Sequence, residues 1–202
     1  MVTTIAPAVF AGNRKKWTMS AVIFVAGGAL GGAATGIVLS GIGQVAFATG
    51  SMRRAAWLML VVGALGYAFH ERGFWQLPVP SLRRQVPRGW RARFPLPVVA
   101  LLYSVDLGAG ILTQITTASL YVLCLALVAL GEPAKGILLM GCYGMVRSLT
   151  TMAFSAGLDT MDAAITRSRT MIPWRPVPRS LSAIALLVVA GTCGIQILGG
   201  QL

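Results

Sequence analysis

Residues 104–123 read SVDLGAGILTQITTASLYVL, and they set an acid, Asp106, an amide, Gln114, and the hydroxyls of Ser104, Thr113, Thr116, Thr117 and Ser119 into a segment long enough to cross a bilayer. A second charge, Arg147, falls inside the later apolar run KGILLMGCYGMVRSLTTMAFS (135–155). A lone ionised group at mid-membrane costs roughly 2.5–3.5 kcal/mol, so such groups pair, face a bundle interior or line a wet path. Counted from the ends of their runs, Asp106 lies about 15 Å and Arg147 about 12 Å from the same face. The pair reads as a gate or a coupling site, and the alternative is a structural clamp, or Asp106 held neutral. Thr113, Gln114, Thr116 and Thr117 follow the glycines Gly108 and Gly110. Beside a helix break their side chains satisfy freed backbone groups or coordinate a small polar solute, and the alternative for any one threonine is a hydroxyl bonded back along its own helix.

Other chemistry finds little footing. The chain has one histidine, His70, and five acidic residues, too scattered to assemble a hydrolytic or transferase constellation. Cys124, Cys142 and Cys193 show no CxxC spacing and have no neighbouring histidine or acid. Each reads as a buried thiol, although all three are expected about 10 Å below one surface, where a soft-metal or redox cluster is the alternative. No catalytic residue, metal set or cofactor is implied, and the chain is not expected to be an enzyme.

The elements that would position these residues are apolar helices. The 202 residues are 56% hydrophobic and 11% charged, far below the quarter charged that soluble domains carry. The expected fold is an all-α integral membrane protein. Four runs reach span length, at about 18–40, 53–70, 135–155 and 181–200. The stretch 96–131 would extend about 54 Å as one straight helix, too long for a ~30 Å core, so a break at Gly108–Gly110 is expected.

The formal charge of +12 does not signal nucleic acid, because the basic residues lie between apolar runs. Arg14, Lys15 and Lys16 precede the first span. Arg72, Arg83, Arg84, Arg88, Arg91 and Arg93 fill the loop before the long stretch, and Arg167, Arg169, Arg175 and Arg179 precede the last span. A single interrupted crossing of 96–131 puts all three clusters on one side, cytoplasmic by the positive-inside rule. About five full transmembrane helices result, one interrupted, in the inner membrane. The loop 71–96, with Trp75 and Trp90, reads as a connector at the headgroup level, and His70 as an interfacial histidine.

Gly27 and Gly31, and Gly28 and Gly32, form two GxxxG pairs in AGGALGGAATG (26–36), a spacing that lets helix backbones approach closely. Packing inside the bundle is preferred over dimerisation. The layout also repeats. TTIAPAVFAG (3–12) leads to a basic turn and VIFVAGGALGGAATG (22–36), while TTASLYVLCLALVALGEP (116–133) leads to a turn and ILLMGCYGMVRSLTT (137–151). The chain is expected to be one membrane domain, with 1–72 a truncated first repeat, 73–95 a basic cytoplasmic loop and 96–202 a second repeat. Residues 1–12 would be the tail of a span whose first half is missing.

In GAGILTQITTASLY (108–121) and GEPAKGILLMGCYGMVR (131–147) the chain resembles the transmembrane domain of the CcdA and DsbD family, within the LysE-type group of small exporters. That resemblance implies a 3+3 arrangement of spans and, in the family's electron carriers, a thiol–disulfide relay. The relay places a cysteine after a proline. Thr113-Gln114-Ile115 stand in the corresponding stretch here, and the first repeat offers Thr4-Ile5-Ala6-Pro7, so no catalytic residue carries over. The expectation is a small-solute transporter or CcdA-like carrier with Asp106, Thr113, Gln114, Thr116, Thr117 and Arg147 at its binding or gating site. The alternative is a non-catalytic accessory or assembly subunit of a larger membrane complex, and a further alternative is the relay. The partners implied are the lipid bilayer and membrane-protein subunits.

Overall fold

The computed structural model describes residues 13–74, 93–110, 119–155 and 176–198, and among the described residues there are helices and turns but no strands. The helices are α1 (Arg14–Ala46), α2 (Gly50–Glu71), α3 (Leu96–Ala109), α4 (Ser119–Leu130), α5 (Pro133–Ser155) and α6 (Pro176–Leu198). The expected all-helical class is what the chain adopts.

Local chemistry sets the ends. The Asn13 side chain accepts from the Lys16 amide at 3.2 Å and satisfies one of the donors left over at the start of α1. α3 starts behind Pro95, with proline in its first turn, where a missing amide costs nothing. It stops at Ala109 because Gly110 adopts φ +73°, a conformation that suits glycine. The helix end thus falls in the Gly108–Gly110 segment where the break was expected. Gly131, at φ +61°, ends α4 and donates to the Leu127 carbonyl at 3.1 Å; Pro133 then opens α5. Arg53 donates from Nη2 to the Leu130 carbonyl at 3.3 Å, a cation at the negative end of α4.

The chain divides into two compact units. The first holds α1 up to Thr35, α3, and α5 from Ile137. Its core gathers Phe24, Ala100, Tyr103, Leu107 and Met152, with Trp17, Ala21 and Val25 packed against them. The second holds α1 from Gly36, α2, α4, the first residues of α5, and α6. Its core uses one face of α2, where Ala56, Trp57, Leu60, Ala64 and Ala68 recur at helical spacing. Val122 and Ala129 of α4, and Leu186, Ala190 and Cys193 of α6, complete it. Tyr67 stacks on Tyr121 at 5.8 Å between ring centres and meets His70 edge-on at 6.4 Å.

The outward faces are as apolar as the cores. Leu30 on α1, Val62 on α2 and Leu138 on α5 are each about two-thirds exposed, at 64%, 68% and 65%. A helix apolar on both faces is either enclosed by protein or set in lipid. By length and composition two helices, Lys15–Ala46 and Gly50–Glu71, can cross a membrane. The five crossings expected from hydropathy go beyond that.

Candidate functional site

The first unit brings several of the singled-out residues to one place. On α1, Gly27 and Gly31 face α3: a β-carbon at Gly27 would strike the Ser104 hydroxyl, and one at Gly31 the Val105 carbonyl. Gly28 and Gly32 face α5, where added β-carbons would strike the Ser148 hydroxyl and the Met140 carbonyl. The two pairs therefore serve different neighbours, because successive helix positions are turned by about 100°. Gly28 is the junction. β-Carbons at Gly108 of α3 and Gly144 of α5 would both collide with its carbonyl.

In the second unit the α1–α5 contact has the same character. A β-carbon at Gly136 would strike the Ser40 hydroxyl and come within 2.5 Å of the Gly36 carbonyl. Small residues thus recur every fourth position on α1, at Gly28, Gly32, Gly36 and Ser40. On α5 the matching series is Gly136, Met140, Gly144 and Ser148. Sequence reading found the first half of the α1 series and missed the rest. The signal available was the four-residue repeat on α5, which Met140 interrupts.

Polar groups sit inside this close-packed zone. Ser104 is fully buried and donates to the Leu101 carbonyl one turn earlier, at 2.8 Å. Ser148 and Ser40 are also fully buried, and their hydroxyls have no hydrogen-bond partner among the described residues. Arg147, half-buried, donates from Nη1 to the Tyr143 hydroxyl at 3.0 Å, with its guanidinium 5.8 Å from that ring's centre. Its backbone carbonyl accepts from the hydroxyls of Thr150 at 2.8 Å and Thr151 at 2.9 Å. Asp106 is half-buried on α3, two residues before Gly108. Thr113, Gln114, Thr116 and Thr117 lie outside the described residues.

The three cysteines are free thiols in different settings: Cys142 is exposed, Cys124 half-buried and Cys193 buried. Among the described residues no three His, Cys, Asp or Glu side chains converge as a metal would require. What the first unit offers chemically is tight backbone packing with one arginine anchored through a tyrosine.

No family model matches the chain, and no solved structure does. Curated proteins do. A methylamine utilization protein MauF from Paracoccus denitrificans is 35% identical over 133 residues, covering 66% of this chain and 48% of the relative. The MauF of Paracoccus versutus is 36% identical over 123 residues, covering 61% and 45%. That of Methylophilus methylotrophus is 32% identical over 134 residues, covering 66% and 47%. The chain spans about half the length of the curated relatives it matches.

These similarities correct three expectations. The resemblance to the CcdA and DsbD family gives way to one with proteins named for methylamine utilization. The transporter and CcdA-like carrier, and with them the transport and cytochrome c biogenesis vocabulary, give way as well. The physical reason is that layout misled. Gly-rich apolar helices and basic loops are general features of membrane proteins, so they carry little family information.

Proposed function

We propose that this chain is a non-catalytic accessory subunit of a methylamine-utilising system, held in the membrane and working through protein partners. The observation that carries the reading is the 35% identity to a MauF over about two-thirds of the chain. The interior supports it physically. At Gly28, Gly31, Gly32, Gly108 and Gly144 the backbones of α1, α3 and α5 meet too closely for even a β-carbon, and a closely packed core suits a docking platform.

In this reading the chain crosses the membrane about five times, with the basic loops cytoplasmic. The crossing made by α3 and α4 is interrupted; at 14 and 12 residues each reaches only about 21 Å and 18 Å. Thr113, Gln114, Thr116 and Thr117 would satisfy backbone groups freed by that interruption. Asp106 and Arg147 act as clamps that hold the unit's register, and Gly27, Gly28, Gly31 and Gly32 set helix spacing.

The test is the state of the chain in cells grown on methylamine. Extracted in mild detergent and cross-linked before extraction, it is expected in an assembly clearly larger than its own 21.2 kDa, containing methylamine-utilisation proteins. A solitary monomer under both conditions would contradict the proposal.

A further inference from the structure

The second unit carries a small apolar cavity of about 160 Å³ at the end of α2, lined by Ala68, Phe69, Arg72, Phe74 and Leu187. Its wall is built by the helix stop. Gly73, at φ +81°, turns the chain back, so that its amide donates to the His70 carbonyl and the Phe74 amide to the Phe69 carbonyl, both at 3.0 Å. This is the Schellman arrangement, and it brings the flanking apolar side chains together. Phe74 accordingly meets Phe69 edge-to-face, 6.2 Å between ring centres. The bonds occupy the last carbonyls of the helix, so the negative end of α2 is partly neutralised where an anion would approach.

Charge at the mouth has one exposed source in the lining. Arg72 is exposed, whereas neighbouring Glu71 is half-buried and engaged within the protein. The lining is apolar throughout, so Arg72 contributes its aliphatic stem there and, being exposed, is able to bring its guanidinium to the mouth, beside the end of a helix able to span a membrane. A guanidinium matches two phosphate oxygens at once, and the slot accepts methylenes. A volume of about 160 Å³ suits a few methylenes and is too small for a helix bearing side chains.

We infer that this pocket holds an anionic phospholipid, with its phosphate on Arg72 and the start of an acyl chain between Phe69, Phe74 and Leu187. The inference rests on the membrane-embedded reading of the chain. Such a lipid would fix the cytoplasmic end of α2 against α6, the two helices that line the slot.

The experiment uses the full chain in mild detergent, offered equal amounts of phosphatidylglycerol and phosphatidylcholine and read by native mass spectrometry. Phosphatidylglycerol is expected to be retained preferentially. Arg72→Gln should cut that preference about fivefold, the weight of one arginine at an anionic surface, while Phe74→Ala should weaken retention of both lipids. Both side chains are exposed, so neither variant threatens folding. A preference unchanged in Arg72→Gln would overturn the inference. So would Arg72-dependent binding of inorganic phosphate alone with no lipid preference. Alkaline carbonate washing of membranes separates the two levels: release of the chain sinks the embedded reading and this site together, and retention without Arg72-dependent selection sinks this site alone.

Discussion

Gly28 and Ser148 are so close that a single β-carbon on the glycine would land on the serine hydroxyl. The contact joins α1 to α5, and the Gly28 carbonyl at the same point meets Gly108 and Gly144. A three-helix junction made of backbone has little slack. Overpacking a tight site typically costs 1–3 kcal/mol.

Gly28→Ala is expected to lower the stability of the detergent-solubilised chain by about 1–3 kcal/mol, read from thermal or denaturant unfolding. Gly41→Ala, on the same helix where a β-carbon meets nothing within 4 Å, is the control. It should be neutral or stabilising by up to about 1 kcal/mol, since alanine favours the helix. Equal effects at the two sites would contradict the junction.

The Ser148 hydroxyl is buried and has no hydrogen-bond partner among the described residues. Ser148→Ala is therefore expected to leave stability unchanged or raise it by about 1 kcal/mol, because an unsatisfied buried group is removed. Ser148→Val, which adds bulk against Gly28, should instead destabilise by about 1–3 kcal/mol. A loss from the alanine variant exceeding that from valine would show that the hydroxyl, not the small volume, matters.

Arg147 uses both the hydroxyl and the ring of Tyr143. Tyr143→Phe keeps the ring and removes the acceptor, at an expected cost of about 1 kcal/mol. Tyr143→Leu removes both and should cost a further 0.5–1 kcal/mol or so. The same unfolding assay reads both, and identical losses would remove the ring contact from the account.

A thiol–disulfide relay needs two thiols able to exchange. With an accessory role, combined replacement of Cys124, Cys142 and Cys193 by alanine should leave growth on methylamine at the parental rate, provided immunoblots show equal protein. Abolished growth at equal protein level would restore thiol chemistry to consideration.

Much of the helical layout was legible because long apolar runs have few alternatives. The Gly108–Gly110 segment signalled the end of α3, and it is Gly110 that adopts the φ of +73°. The glycine pairs on α1 were visible as spacing, but their destinations were not. Which helix Gly27 or Gly28 meets depends on rotation about α1 and on residues more than seventy positions away, such as Ser104 and Ser148. The Arg147–Tyr143 contact lies one helical turn apart and was available from spacing, yet attention to a charge partner across helices hid it. The family was misread because membrane layout is shared by unrelated proteins, whereas side-chain identity over a long alignment is not.

The most direct test of the account is growth of a strain lacking this chain with methylamine as the sole nitrogen source. The account predicts that growth on methylamine is lost, that growth on ammonium is normal, and that re-expression of the wild-type chain restores the former. Growth on methylamine at the parental rate without the chain would contradict it.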